Sequence, residues 1–136
     1  MRYLGIDYGT KRVGVAIADA QTGIAFPRAV FPNTERLVSD LVELVRSEVI
    51  EEVVLGESRD FSGKENPLMR QIRAFQKQLA EETGVPVVLF PEVLSSREAM
   101  RLQGDNEMND ASAAAIVLQS YLERIHARKG ADDAAG

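Results

Sequence analysis

The chain has 136 residues, 45% hydrophobic and 27% charged, a globular balance that excludes intrinsic disorder and leaves room for one domain only. With no cysteine and a single histidine, a disulfide framework and a thiolate metal site are excluded, and zinc is disfavoured. A net charge of -5, from 16 basic and 21 acidic residues, is the wrong sign for gripping a phosphate backbone by bulk electrostatics, so a nucleic-acid ligand requires clustered cations or acids neutralised by bound metal.

Tyr3 to Asp7 reads as a strand, with Leu4 and Ile6 on one face and Tyr3, Gly5 and Asp7 on the other. Tyr8-Gly9-Thr10-Lys11 is a turn, and Arg12 to Ala18 alternates Val13, Val15 and Ile17 against the small Gly14, Ala16 and Ala18. Ile24 to Phe31 makes a third extended run, which Pro27 pushes towards an edge because proline cannot donate to a ladder. From Asn33 or Thr34 as N-cap, Leu37, Leu41, Leu44 and Val45 recur at helical spacing to about Glu48. Val53 to Leu55 is a short buried strand before Gly56, and Arg59 to Glu65 a polar loop. Leu68, Ile72, Phe75 and Leu79 carry a second helix, with Pro67 near its first turn and Gly84 just past its end. Val85 to Phe90 is apolar on both faces, which predicts a central parallel strand.

Ser95 with Glu98 forms a capping box for a short helix to about Leu102, Gln103 to Asn109 is a polar loop, and a last helix runs from about Asp110 to Ala127. The expected architecture is α/β: a five-stranded mixed sheet, three antiparallel strands first and then two parallel, with helices on both faces. Residues 1–128 form the domain and 129–136 a small-residue tail expected to be disordered. No apolar run approaches the ~20 residues of a bilayer span, and Asp7 interrupts the opening segment where a signal core would lie. A cytoplasmic location with no membrane partner is expected.

Three carboxylates occupy positions that packing alone would not favour. Asp7 ends a strand, Glu92 follows the apolar run ending at Phe90, and Asp110 opens a helix on the stripe of Ala114, Val117, Leu118 and Tyr121. Each has an ordinary explanation, as turn former, solvated strand end or helix-dipole partner. Together they fit better at the carboxyl ends of an α/β sheet, where ligands bind. Oxygen donors of this kind suit Mg2+ or Mn2+. Two-metal phosphodiester hydrolysis uses such a cluster, with ions roughly 3.5 to 4 Å apart and a carboxylate bridging them; Asp7, on the most central strand, is the expected bridge.

Arg70, Arg73 and Lys77 lie three and four apart on the second helix, away from its apolar stripe. With Lys11 and Arg12 near Asp7, and Lys64 in the preceding loop, they are candidates for phosphate contacts, although a charged stripe is also how any surface helix looks. His126 reads as a solvated helix residue.

The segment GIDYGTKRVGVAIAD resembles the opening of the YqgF, or RuvX-like, family of Holliday junction resolvases and pre-16S rRNA nucleases. The resemblance runs from Leu4 to Leu122 and includes Val54-Leu55-Gly56, Glu92-Val93-Leu94-Ser95-Ser96 and Asn109-Asp110-Ala111-Ser112-Ala113-Ala114. It implies an RNase H-like fold, metal-dependent nuclease chemistry in ribosomal RNA maturation or junction resolution, and metal-holding acids at Asp7, Glu92 and Asp110. Two departures stand out. Pro91-Glu92-Val93-Leu94-Ser95-Ser96 replaces the usual Asp-Glu-Arg-Leu-Thr-Thr, losing a second acid and a bidentate phosphate fork, and Glu57-Ser58 replaces an apolar-proline pair after Gly56. An RNA-binding ribosome-assembly module with weakened catalysis is therefore the alternative to a nuclease, and an ATP-binding relative of the sugar kinases, whose Asp-x-Gly-Thr turn is similar, is the third. A junction-cutting mechanism would want two sites and hence a symmetric homodimer.

Overall fold

A computed structural model describes residues 1–57, 67–91 and 107–135, the last stretch with side chains from 110 to 126. The chain begins with three strands, β1 (Arg2–Tyr8), β2 (Arg12–Asp19) and β3 (Ile24–Pro32), paired antiparallel in sequence. Helix α1 (Leu37–Ser47), strand β4 (Glu52–Glu57), helix α2 (Leu68–Thr83) and strand β5 (Val87–Pro91) follow, and a long helix α3 (Glu107–Ala135) ends the chain. The sheet is five-stranded in the order β3-β2-β1-β4-β5, with β4 parallel to β1 and β5 parallel to β4. The mixed architecture expected from the sequence is the one found, with β1 at its centre and β3 at its edge.

Period-two alternation divides the core. Leu4, Ile6, Val13, Val15, Val53 and Leu55 face α1 and α2, meeting Leu37, Leu41 and Leu44 of the first helix and Met69, Ile72, Phe75 and Leu79 of the second. Tyr3, Ala16, Ala18, Val54 and Phe90 face the other way and are covered by Ala114, Val117, Leu118 and Leu122 of α3. Small residues crowd this second face because a helix lies close against it. A Cβ on Gly5 would come within 2.7 Å of the Leu118 Cβ, and one on Gly14 would run into the Asp110 carbonyl and stand 2.8 Å from the Ala111 nitrogen.

Polar contacts fix where α3 lies along the sheet. The Gln119 amide donates to the Gly23 carbonyl at 2.8 Å and accepts from the Ala25 N–H at 2.9 Å. At the opposite margin the Phe90 ring meets Tyr121 edge-on at 5.6 Å and lies under the Arg124 guanidinium at 4.9 Å.

Four local readings change. Strand β5 lies at the margin of the sheet, not its centre. It is apolar on both faces because helices cover both faces, and that burial carries no information about lateral neighbours. Helix α1 starts at Leu37 rather than after Asn33 or Thr34, since Asn33 is recruited elsewhere and the Thr34 hydroxyl accepts from Arg36 N–H at 3.3 Å in a local turn. On α2 Met69 joins the buried stripe while Leu68 is only partly buried. Helix α3 begins one turn before Asp110 and is helical to Ala135, through a segment whose alanines are strong helix formers. No helix among the described residues is long and apolar enough to cross a membrane. The capping-box helix at 95–102 lies outside the described residues.

Two measurements test this packing. Gly14→Ala should cost about 1–3 kcal/mol by overpacking α3 against β2. Gly84→Ala should cost only about 1 kcal/mol, because its φ of +74° is strained for alanine but no heavy atom lies within 4 Å; urea denaturation of both variants gives the comparison. Burial, reinforced by Glu52 and Glu51, raises the Tyr3 phenol above its ordinary 10.0. A raised folded value means the contribution is complete below the unfolded pKa and is lost as pH climbs through the folded one. Unfolding midpoints should therefore fall above about pH 10 in the parent and fall less in Tyr3→Phe.

Candidate active site

Parallel strands β1, β4 and β5 all end on one edge of the sheet, at Tyr8, Glu57 and Pro91. Asp7 is the penultimate residue of β1 and by alternation shares the α3-covered face with Tyr3 and Gly5. Its cross-strand partner is Gly14, and directly paired residues project to the same face with Cβ positions about 5 Å apart. The place where a Gly14 side chain would stand is filled by the backbone of Asp110 and Ala111. Asp7 and Asp110 are thus brought to the same corner of the molecule from opposite ends of the chain. Both are part-buried.

Arg12, the first residue of β2, completes the corner. Its Nε donates to Asp110 Oδ2 at 2.6 Å, with the two side chains 36% and 23% exposed. Alternation from Gly14 places Arg12 on the Asp7 face as well. The turn that delivers Arg12 is braced by Asn33, whose Nδ2 donates to the Gly9 carbonyl at 2.8 Å and whose backbone N–H donates to the Lys11 carbonyl at 2.9 Å. A Cβ on Gly9 would come within 2.5 Å of the Arg12 carbonyl, so the turn is tight as well as braced.

Of the residues singled out in the sequence, Asp7, Arg12 and Asp110 converge. Lys11 is exposed in the adjoining turn. Arg70, Arg73 and Lys77 are exposed on α2, which packs on the opposite face of the sheet from α3. Because α2 follows β4 and runs back along the sheet, its Arg70 end starts near the carboxyl edge and Lys77 lies farther from it. Glu92 and Lys64 lie outside the described residues; Glu92 directly follows the last residue of β5. Among the described residues no cluster of three His, Cys, Asp or Glu side chains forms. His126 is exposed. Sequence reasoning missed the brace at Asn33 and the Arg12–Asp110 pair, and it read Gly14 only as a small residue, although a glycine opposite an acid on a central strand signals close approach of another backbone.

A family model described as RuvX, Holliday junction resolvase, matches residues 1–124. The chain belongs to that family. Two proteins named "Putative pre-16S rRNA nuclease" are similar to this RuvX-family chain along nearly their whole length. One from Nitratidesulfovibrio vulgaris is 37% identical, covering 95% of this chain and 98% of its own; one from an Anaeromyxobacter species is 38% identical, covering 93% and 100%. Among solved structures, Thermus thermophilus RuvC in complex with a Holliday junction substrate superposes with a TM-score of 0.63 at 19% identity, covering 96% of this chain and 97% of its own. The fold is therefore RNase H-like, as the resemblance in the sequence implied.

Replacing Asn33 by alanine removes the side-chain half of the brace and should cost about 1 kcal/mol. The local effect is the more specific check: hydrogen exchange at the backbone amide of position 33, which in the parent donates to the Lys11 carbonyl, should speed up while the Ile6 and Val15 amides keep their protection.

Proposed function

We propose that this RuvX-family chain is a divalent-metal-dependent nuclease that hydrolyses phosphodiester bonds in structured RNA, its substrate being the 5′ end of pre-16S rRNA during ribosome biogenesis. The observation that carries the reading is the seating of Asp110 on Gly14, the partner of Asp7, which places two carboxylate positions on one face at the carboxyl edge of the central strand. Names of relatives supply the substrate class, and the shared fold with RuvC supports nucleic-acid binding.

The donor set fits Mg2+ or Mn2+. Asp7 and Asp110 offer hard oxygens and no sulfur, and the corner already attracts a cation, since a guanidinium is docked on Asp110. Asp7, Glu92 and Asp110 are the residues assigned to hold the metal. Bound there, two such ions would supply an activated water and charge stabilisation at the leaving oxygen. The chain's own contribution is positional. Asp7 is fixed by antiparallel pairing with Gly14, one residue past the last parallel pair of β1 with β4, and Asp110 by helix packing, so little reorganisation is needed when substrate arrives. Lys11, Arg12 and Lys64, with Arg70, Arg73 and Lys77 on α2, are assigned to phosphates flanking the cut.

Resolution of four-way DNA junctions is the second reading, favoured by the description of the family and by the junction-bound RuvC neighbour. It requires a homodimer, because two strands must be cut. One experiment separates these readings: cleavage of precursor rRNA, single-stranded RNA and four-way DNA junctions with Mg2+ and with Mn2+. The parent should cut precursor rRNA, lose that activity on chelation, and drop more than about a hundredfold in Asp7→Asn with an unchanged circular dichroism spectrum. Cleavage by Asp7→Asn equal to the parent's removes the assignment, and preferred cutting of junctions replaces the first substrate by the second. RNA affinity that persists without metal and without any cleavage would mark a binding module.

A further inference from the structure

The Arg12–Asp110 pair engages Oδ2 of Asp110, one of the carboxylate oxygens assigned to the proposed metal. A contact of 2.6 Å lies just below the usual range for N–H···O bonds, and short contacts of this kind are made between full charges. Neither residue is fully buried, so the pair can open without stranding a charge away from water. Its two members come from the start of β2 and the first turns of α3, 98 residues apart in sequence, and both stand at the corner occupied by Asp7. A carboxylate oxygen engaged by a guanidinium at that distance cannot give the same lone pair to a small dication, and the two positive charges repel at such separations.

We propose that Arg12 is the resident counter-ion of the metal site. It holds Asp110 in place while no divalent ion is bound, yields the carboxylate when metal enters, and turns its released guanidinium to a phosphate of the nucleic acid. The inference rests on the metal-dependent reading above and adds a regulation to it. Because phosphate and Asp110 compete for one guanidinium, nucleic acid and metal help each other bind, and the reciprocal effect on the two affinities is equal. Free protein is held in a weakly loaded state, and substrate promotes loading.

The test uses the full chain and no cleavage assay. Arginine Nε–H and backbone amide resonances are followed as Mg2+ is added, and Mn2+ affinity is measured by calorimetry for the parent, Arg12→Gln and Arg12→Lys. The expected result has the Arg12 Nε–H signal moving with the same midpoint as the Asp7 and Asp110 amides. Arg12→Gln should bind Mn2+ about three- to tenfold more tightly, the range expected for loss of a part-buried charged competitor, and Arg12→Lys should fall between. If the Asp7 and Asp110 amides respond to Mg2+ while the Arg12 signal stays still and Arg12→Gln binds Mn2+ like the parent, the counter-ion role is overturned and the metal site stands. If neither amide responds, the metal site and the role fall together. Should Arg12→Gln not fold, the parent's Arg12 resonance and the Arg12→Lys affinity still decide.

Discussion

The close approach of α3 to the sheet governs most of what this molecule can do. A helix packed on ordinary side chains is held off a sheet by the side chains between them, too far for its backbone to touch a strand. Here Gly5 and Gly14 remove the intervening Cβ atoms, so Leu118 and Asp110 rest almost on the strands themselves. That contact is steric, and it is intolerant in a way hydrophobic burial is not, since an added methyl has nowhere to go. Everything at the corner follows from it: the neighbourhood of Asp7 and Asp110, the reach of Arg12, and the small-residue face of β2.

The two faces of the sheet divide their tasks. Large aliphatic side chains from β1, β2 and β4 meet α1 and α2 on one side, where most of the apolar area leaves water and most of the hydrophobic stabilisation arises. On the α3 side the sheet presents mainly glycine, alanine and two aromatics, with Val54 the one large aliphatic buried there, to Val117, Leu118 and Leu122 of the helix, gaining less from burial and more from defined geometry. Gln119 clamps α3 to the β2–β3 turn and Phe90 clamps it to β5, so the helix is held at both margins of the sheet as well as along its middle. A site that depends on carboxylates from distant segments needs rigidity of this kind, because misplacement by even 1 Å can cost orders of magnitude in rate. The edge strand β3 carries exposed Ile24 and Phe26, and Pro27 and Pro32 interrupt its capacity to pair further.

Much of this was legible in local patterns. Alternation named both faces of β1 and β2, proline marked β3 as an edge, and Pro67 and Gly84 bracketed α2, with Gly84 taking the left-handed conformation its position as C-cap demands. The stripe through Ala114, Val117 and Leu118 correctly turned Asp110 towards the sheet. The pattern was silent where burial has more than one cause. Apolar residues on both faces of β5 came from helices above and below, which periodicity cannot tell from strands on either side. Asn33 looked like a helix cap because asparagine satisfies backbone groups in either setting; its partners turned out to lie in the hairpin between β1 and β2.

By itself, then, the chain of residues determined which of the described segments are strands and helices, and that Asp7 and Asp110 stand near the ends of two of them, because 2.0- and 3.6-residue periods and turn chemistry are properties of neighbouring residues. Only the tertiary structure decided that Asp110 seats on Gly14, that Arg12 claims its carboxylate, and that β5 lies at the margin. Those outcomes join positions up to 98 residues apart, and they are selected by how closely two backbones can approach, a quantity that appears only once helix and sheet have met.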